Sequence, residues 1–224
     1  MDIQVENTVK VEKSKLSKKH YRLAKRSLDI VGGVIGLIPF GIAYGVLFIP
    51  YKVGSNKGPM IFNQKRIGEN GELFSIYKFR SMRVNADQIL QADEELHQKY
   101  IANGYKLEPN EDPRITKLGR FIRKTSIDEL PQFINVIKGN MSLVGPRPIV
   151  TEELEEYKKA GKVSEFLSMK PGITGVWQTA GRSNVGYPDR VFLEISYAKK
   201  NSIRFDLKVI GKTIVKVFKK EGAY

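Results

Sequence analysis

The chain has 224 residues, 41% of them hydrophobic, enough for one packed domain plus an accessory element. It has no cysteine and only two histidines, His20 and His97, which removes disulfides, thiolate nucleophiles and thiolate zinc sites and argues against Ser/His/Asp chemistry. Any catalysis must therefore lean on carboxylates, Lys, Arg, hydroxyls or a hard cation, and the formal net charge of +14 points to polyanionic partners: nucleic acid, anionic lipid headgroups or phosphorylated substrates.

The charge is unevenly spread. Residues 1–85 carry 15 basic and 6 acidic side chains, 86–112 carry 2 and 7, and 113–224 carry 21 and 11. The first 26 residues read as a basic juxtamembrane arm for anionic lipid, or as a solvated tail.

From Ile30 to Tyr51, IVGGVIGLIPFGIAYGVLFIPY runs 22 residues without a charge, long enough at ~1.5 Å per residue to cross a bilayer core if straight. Pro39, near its middle, removes a backbone donor and clashes with the preceding turn, and five glycines weaken the helix further. A break at Pro39 leaves arms of roughly 15–18 Å, which reach about one leaflet and return. Basic residues on both flanks, Lys25 and Arg26 before and Lys52 and Lys57 after, pull both ends to the cytoplasmic side. Segment 27–53 is thus expected to be a re-entrant membrane helix. A single spanning helix is the main alternative, ahead of a cleaved signal peptide or a buried core helix.

Residues 54–206 should form the catalytic or binding domain, of α+β class: helix-rich, cytosolic, with a small antiparallel hairpin. MIFNQKRI and LFSIYKFRSM flank GENG, whose Asn70–Gly71 pair is a hairpin-turn signal. Alternation along the second strand puts Lys78 and Arg80 on one face, about 7 Å apart, which suits a diphosphate; a sheet edge guarded by cations has the same sequence pattern. A polar helix is expected over 84–104, and another over 115–124 from the spacing of Ile115, Leu118 and Ile122.

SIDELPQ, residues 126–132, sets Asp128 and Glu129 side by side after the basic run RFIRK. Ser126 and Glu129 match a capping box, and Pro131 matches the first residue of a helix closed by Gly139. Either register places the two carboxylates at a helix entrance, as caps or as a reactive pair. Downstream, SLVGPRPI holds Arg147 between two prolines, stiffening its backbone. KPGITGVWQTAGRSN is a Gly-rich loop carrying Trp177 and Arg182, suited to a nucleotide or to a packed turn around a buried Trp. In DLKVIGKTIVKVFKK, Leu207, Ile210, Ile214, Val217 and Phe218 gather opposite Lys208, Lys212, Lys216 and Lys219, so 207–224 reads as a basic amphipathic interfacial helix or as a surface helix of the domain.

Taken in order, the apolar segment with its central Pro, YKFRSM, SIDELPQFINVIKGNMSLVGPRP, KPGITGVWQTAGR and the final DLKVI resemble the bacterial sugar transferases, the monotopic polyprenyl-phosphate phosphoglycosyl transferases. The match covers about Lys25 to Phe218. The resemblance implies an enzyme on the cytoplasmic leaflet of the bacterial membrane that moves a sugar-1-phosphate from a UDP-sugar to undecaprenyl phosphate, with Mg²⁺, releasing UMP and initiating exopolysaccharide, capsule or glycoconjugate synthesis. It places Asp128 at the nucleophile, Glu129 at the metal or the lipid phosphate, and Lys78, Arg123, Arg147 and Arg182 at phosphate or nucleotide positions. Asp206 falls on a motif carboxylate of underived role, and Arg80 joins the phosphate set from strand geometry alone. The GVWQTAGR loop is similar to hexose-transferring members, implying UDP-galactose or UDP-glucose; a homodimer is compatible and nucleic acid is not expected. Where the family often has Ser-Pro at the membrane break, Ile38 precedes Pro39 here, removing a hydroxyl that would bond a freed carbonyl. The competing class is a membrane-tethered polyanion-binding or scaffold protein of a polysaccharide-assembly complex.

Overall fold

A computed structural model gives the backbone of residues 2–103, 107–108, 110–181 and 185–219, with side chains from Lys19 onward except Phe218. Its first element, α1 (Asp2–Phe48), contains Pro39 without interruption. The expected break into two arms is therefore corrected: the apolar segment is one helix. The reason lies in what grips it on either side of the proline. Gly36 lies against the Phe133 ring, so closely that any side chain there would collide with it, and Phe40 stacks on Phe79 at a centroid distance of 5.6 Å. Pro39 itself faces outward.

The docked side of α1 recurs with helical spacing. Arg26 donates to the carbonyls of Val136 and Ile137, each at 2.7 Å, and Asp29 accepts from Ser142 Oγ at 2.8 Å and Leu143 N at 2.9 Å. Gly32, Gly33 and Gly36 follow, then Phe40, Ala43 and Leu47, ending at buried Tyr51 in the next turn. The opposite side, including Val31, Val34, Ile35, Ile38, Ile42 and Val46, is apolar and exposed. A globular domain thus clasps the helix over roughly 30 Å of axis. Length and hydropathy over Lys19–Phe48 suffice to cross a membrane, and the outer apolar side of that stretch is exposed.

The hairpin forms as the sequence indicates. Strands β1 (Ile61–Ile67) and β2 (Leu73–Phe79) pair antiparallel, Ile61 opposite Phe79, with Asn70 and Gly71 both at positive φ in the connection. In place of one helix over 84–104 there are two, α2 (Ala86–Ala92) and α3 (Glu94–Ala102), because Asp93 leaves helical geometry to cap α3 through Leu96 N. Gly104 lies outside the described residues. α4 (Lys117–Lys124) is capped by Thr116 and sits on the chain at Ser81, where a Cβ on Gly119 would meet the Ser81 carbonyl at 1.8 Å.

α5 (Gln132–Lys138) closes at Gly139 with φ 83°, as the sequence indicates. Asn135 fixes it to the sheet by imitating a strand: its Oδ1 accepts from Tyr77 N at 3.0 Å and its Nδ2 donates to Ser75 O at 2.8 Å. A second sheet had no counterpart in the sequence reading. Strands β3 (Ser142–Val144) and β4 (Gly172–Thr174) pair in parallel. They bring the Arg147 segment and the Gly-rich segment together. The main core lies beyond this sheet, where Val144, Ile149, Tyr157, Phe166, Val191, Ile195 and Val209 pack. It is built from α6 (Leu154–Lys159), α7 (Val163–Leu167), α8 (Val176–Ala180), α9 (Asp189–Lys200) and α10 (Ile203–Lys219).

α10 begins before the expected boundary at 207 and is half a core helix. Asp206 and Val209 are buried and Ile210 packs on the core, while Leu207, Ile214 and Val217 stay exposed.

Candidate active site

Asp128 sits in a short 3₁₀ turn, Ile127–Glu129, entered through Ser126 in the left-handed region at φ 56°. Ser126 makes no capping bond there, and none is made at Pro131 where α5 begins, so the capping box does not form. Glu129 turns instead to Lys78, whose Nζ lies 3.4 Å from its Oε1. The sequence leaves capping and reactivity as rivals for this pair. The backbone forms neither of the two expected caps.

Asp128 is buried at 8% exposure. Burial, then the neighbouring Glu129 charge, push its carboxyl up to about 6, against the pull of Lys78 and Arg123. Lys78 is in turn shifted down, chiefly by burial and against the attraction of Glu129 and Asp128. Arg123 reaches the same place from α4, its Nε donating to Ser81 Oγ at 2.8 Å, and burial lowers it too. Two carboxylates and two cations are thus held at one point by three elements.

A cleft opens beside them, lined among others by Arg66, Lys78, Glu129, Gln132, Arg147 and Gln178. Arg66 was not foreseen. In the hairpin register it pairs with Phe74, so it shares a sheet face with Lys78, four residues further on; alternation counted outward from Asn70–Gly71 carries that signal. Burial and the nearby Arg147 charge lower its guanidinium to about 10. Gln132 and Gln178, both buried, had no signal beyond lying inside the motifs.

Arg80 is a correction. β2 ends at Phe79, and the Arg80 guanidinium turns away to the 56–59 segment. Nε donates to Pro59 O at 2.7 Å, Nη1 to Met82 O at 2.9 Å and Nη2 to Asn56 O, with the Tyr51 ring packed against it. All three nitrogens are committed to the protein's own backbone, and Arg80 does not line the cleft. Trp177 is likewise not an open stacking surface. It is buried, donates to Val185 O at 2.8 Å, and has the guanidinium carbons of Arg147 and Arg190 at 5.6 and 4.5 Å from its ring. Arg182 lies outside the described residues.

Asp206 lies outside the cleft. Fully buried, it accepts from Lys25 Nζ at 2.9 Å and Tyr197 OH at 2.6 Å, which ties α10 and α9 to α1.

Among the described residues no three His, Asp or Glu side chains gather as a preformed metal centre. Mg²⁺ does not require one: it is commonly held by one or two carboxylates with substrate phosphates and water completing the shell. Asp128 and Glu129, whose like charges disfavour each other, fit that donor set.

A family model described as bacterial sugar transferase matches residues 20–220. The galactosyl transferase CpsE of Streptococcus agalactiae is 48% identical over 210 residues, covering 93% of this chain and 45% of the relative. The undecaprenyl-phosphate galactose phosphotransferase of Salmonella typhimurium is 44% identical over 213 residues, 93% of this chain and 43% of its own length. The chain thus spans less than half of these two relatives. Exopolysaccharide production protein ExoY of Rhizobium meliloti, 37% identical over 206 residues, is matched over 90% of this chain and 88% of its own. With a family model spanning most of its length and a paired-carboxylate site in the SIDELPQ motif, the chain belongs to the bacterial sugar transferase family.

Proposed function

We propose that the protein transfers a hexose-1-phosphate from a UDP-sugar to undecaprenyl phosphate, releasing UMP, and so initiates synthesis of an exopolysaccharide or capsule. The observation that carries this reading is the Asp128 carboxylate, buried beside Glu129 and faced by Lys78 and Arg123. A structural or scaffold role gives no reason to keep two carboxylates at such a place. The names of the Salmonella and Streptococcus relatives favour galactose, and glucose is the next candidate.

An ionised Asp128 oxygen attacks the sugar-bearing phosphorus; the bond to the bridging oxygen breaks, and UMP departs with that electron pair. The aspartyl-phosphosugar is then attacked by an oxygen of undecaprenyl phosphate, which restores the carboxylate and yields the lipid diphosphate sugar. Lys78, Arg66 and Arg147 offset the repulsion between donor phosphates and attacking carboxylate, and Arg123 keeps Asp128 available in its charged form. Mg²⁺, when bound by Asp128 and Glu129, would neutralise phosphate charge.

The exposed apolar side of α1 would lie in the cytoplasmic leaflet, bordered by Lys19, Arg22 and Lys52 at the headgroups. A soluble nucleotide sugar and a lipid phosphate could then meet at one carboxylate. Incubating the protein with Mg²⁺, undecaprenyl phosphate and a panel of UDP-sugars while following UMP tests the proposal. Release with UDP-galactose or UDP-glucose, abolished in Asp128→Asn, is expected; release by none of the panel, or undiminished release by the variant, contradicts it.

A further inference from the structure

Two residues that line the cleft each carry a buried polar atom with no partner among the described residues. One is a donor, Arg66 Nε; the other is an acceptor, Gln178 Oε1. Gln178 is 7% exposed, so its oxygen is shielded from bulk water as well. An unpaired buried amide oxygen is costly to keep, and such atoms call for a specific explanation.

The two atoms ask for opposite things. Arg66 Nε, in a cleft shared with Lys78 and Arg147, suits an anionic oxygen. Gln178 Oε1 does not, because an ionised phosphate oxygen presents no proton. What satisfies it is a neutral O–H or N–H group carried next to the phosphates. Building on the nucleotide-sugar reading, we infer that Gln178 is a specificity-determining residue that accepts a hydrogen bond from a neutral hydroxyl or N–H of the donor substrate while its phosphates engage the neighbouring cations. In a UDP-sugar that group belongs either to the hexose or to the uridine. A site built to pair with such a group discriminates against substrates that lack it, because its own buried atom is then left unpaired.

The decisive variant is Gln178→Met, which keeps length and bulk but removes the acceptor. Since Oε1 has no partner among the described residues, the variant should unfold at the same temperature as the wild type or higher. Its KM for the UDP-sugar should rise about tenfold, the loss of one good hydrogen bond. UMP as a competitive inhibitor separates the two sources. Weakened UMP inhibition places the bonded group on uridine, whereas unchanged UMP inhibition with raised KM places it on the hexose; either supports the inference. Unchanged KM with full stability overturns it, and so does a marked fall in unfolding temperature or failure to fold, which would mean that the amide serves the protein itself. Absence of UMP release by the wild type with every UDP-sugar would overturn the parent reading and this one together.

Discussion

Lys25 and Asp206 meet across 2.9 Å between α1 and α10, and the carboxylate is fully buried. With Tyr197 OH on its other oxygen at 2.6 Å, Asp206 is the point at which α10 and α9 hold α1 to the domain. Asp206→Ala should therefore leave the Lys25 ammonium without its partner and cost about 3 kcal/mol of stability. Denaturant unfolding in detergent checks this, and KM for the donor in the folded fraction should stay at the wild-type value.

The Asp128 carboxyl is held near 6, against an ordinary value of 3.8. A raised acid binds its proton more tightly in the folded state, so its contribution to stability is fully present below pH 3.8 and is lost as pH rises through about 6. Asp128→Asn removes a buried charge and should stabilise the protein at pH 7.5 by about 2–3 kcal/mol. That gain should vanish near pH 4, which melting curves across the range would reveal. Attack requires the ionised form, so kcat/KM of the wild type should fall about tenfold per unit below pH 6.

Arg80 and Arg147 should part company. Arg80→Ala strands three backbone carbonyls and should cost about 3 kcal/mol or more, with donor KM unchanged. Arg147→Ala should raise KM at least tenfold through the loss of a charged phosphate contact. Unfolding curves paired with donor titrations of both variants decide it.

Ile38 is 63% exposed on the outer side of α1, away from every docked residue. Ile38→Lys should weaken membrane association by roughly 2–4 kcal/mol while leaving the domain folded. Flotation with vesicles containing anionic lipid measures it; a variant that floats as well as wild type would mean that this face does not enter the bilayer.

Much of this was legible in the sequence. The hairpin was, because Asn70 and Gly71 supply the positive φ that its connection needs, and α5 was, because Gly139 ends it in the same way. What escaped depends on contacts between distant segments. Nothing local to Pro39 shows that Phe133 and Phe79 grip the helix on either side of it. The pairing of Ser142–Val144 with Gly172–Thr174 joins short segments across a long connection, and three-residue strands carry too little periodicity to announce themselves. At the site, adjacency gave Asp128 and Glu129, while the absence of the capping box depended on Ser126 entering the left-handed region. Arg80 misled because alternation was carried one residue past the end of its strand.

The most direct test is to hold the protein with UDP-galactose or UDP-glucose and Mg²⁺ without lipid acceptor, then quench and digest it for mass spectrometry. UMP should approach one equivalent per protein, with a hexose-phosphate mass on the peptide containing Asp128 that is discharged when undecaprenyl phosphate is added. Turnover with acceptor present, but neither adduct nor burst without it, would contradict the covalent mechanism.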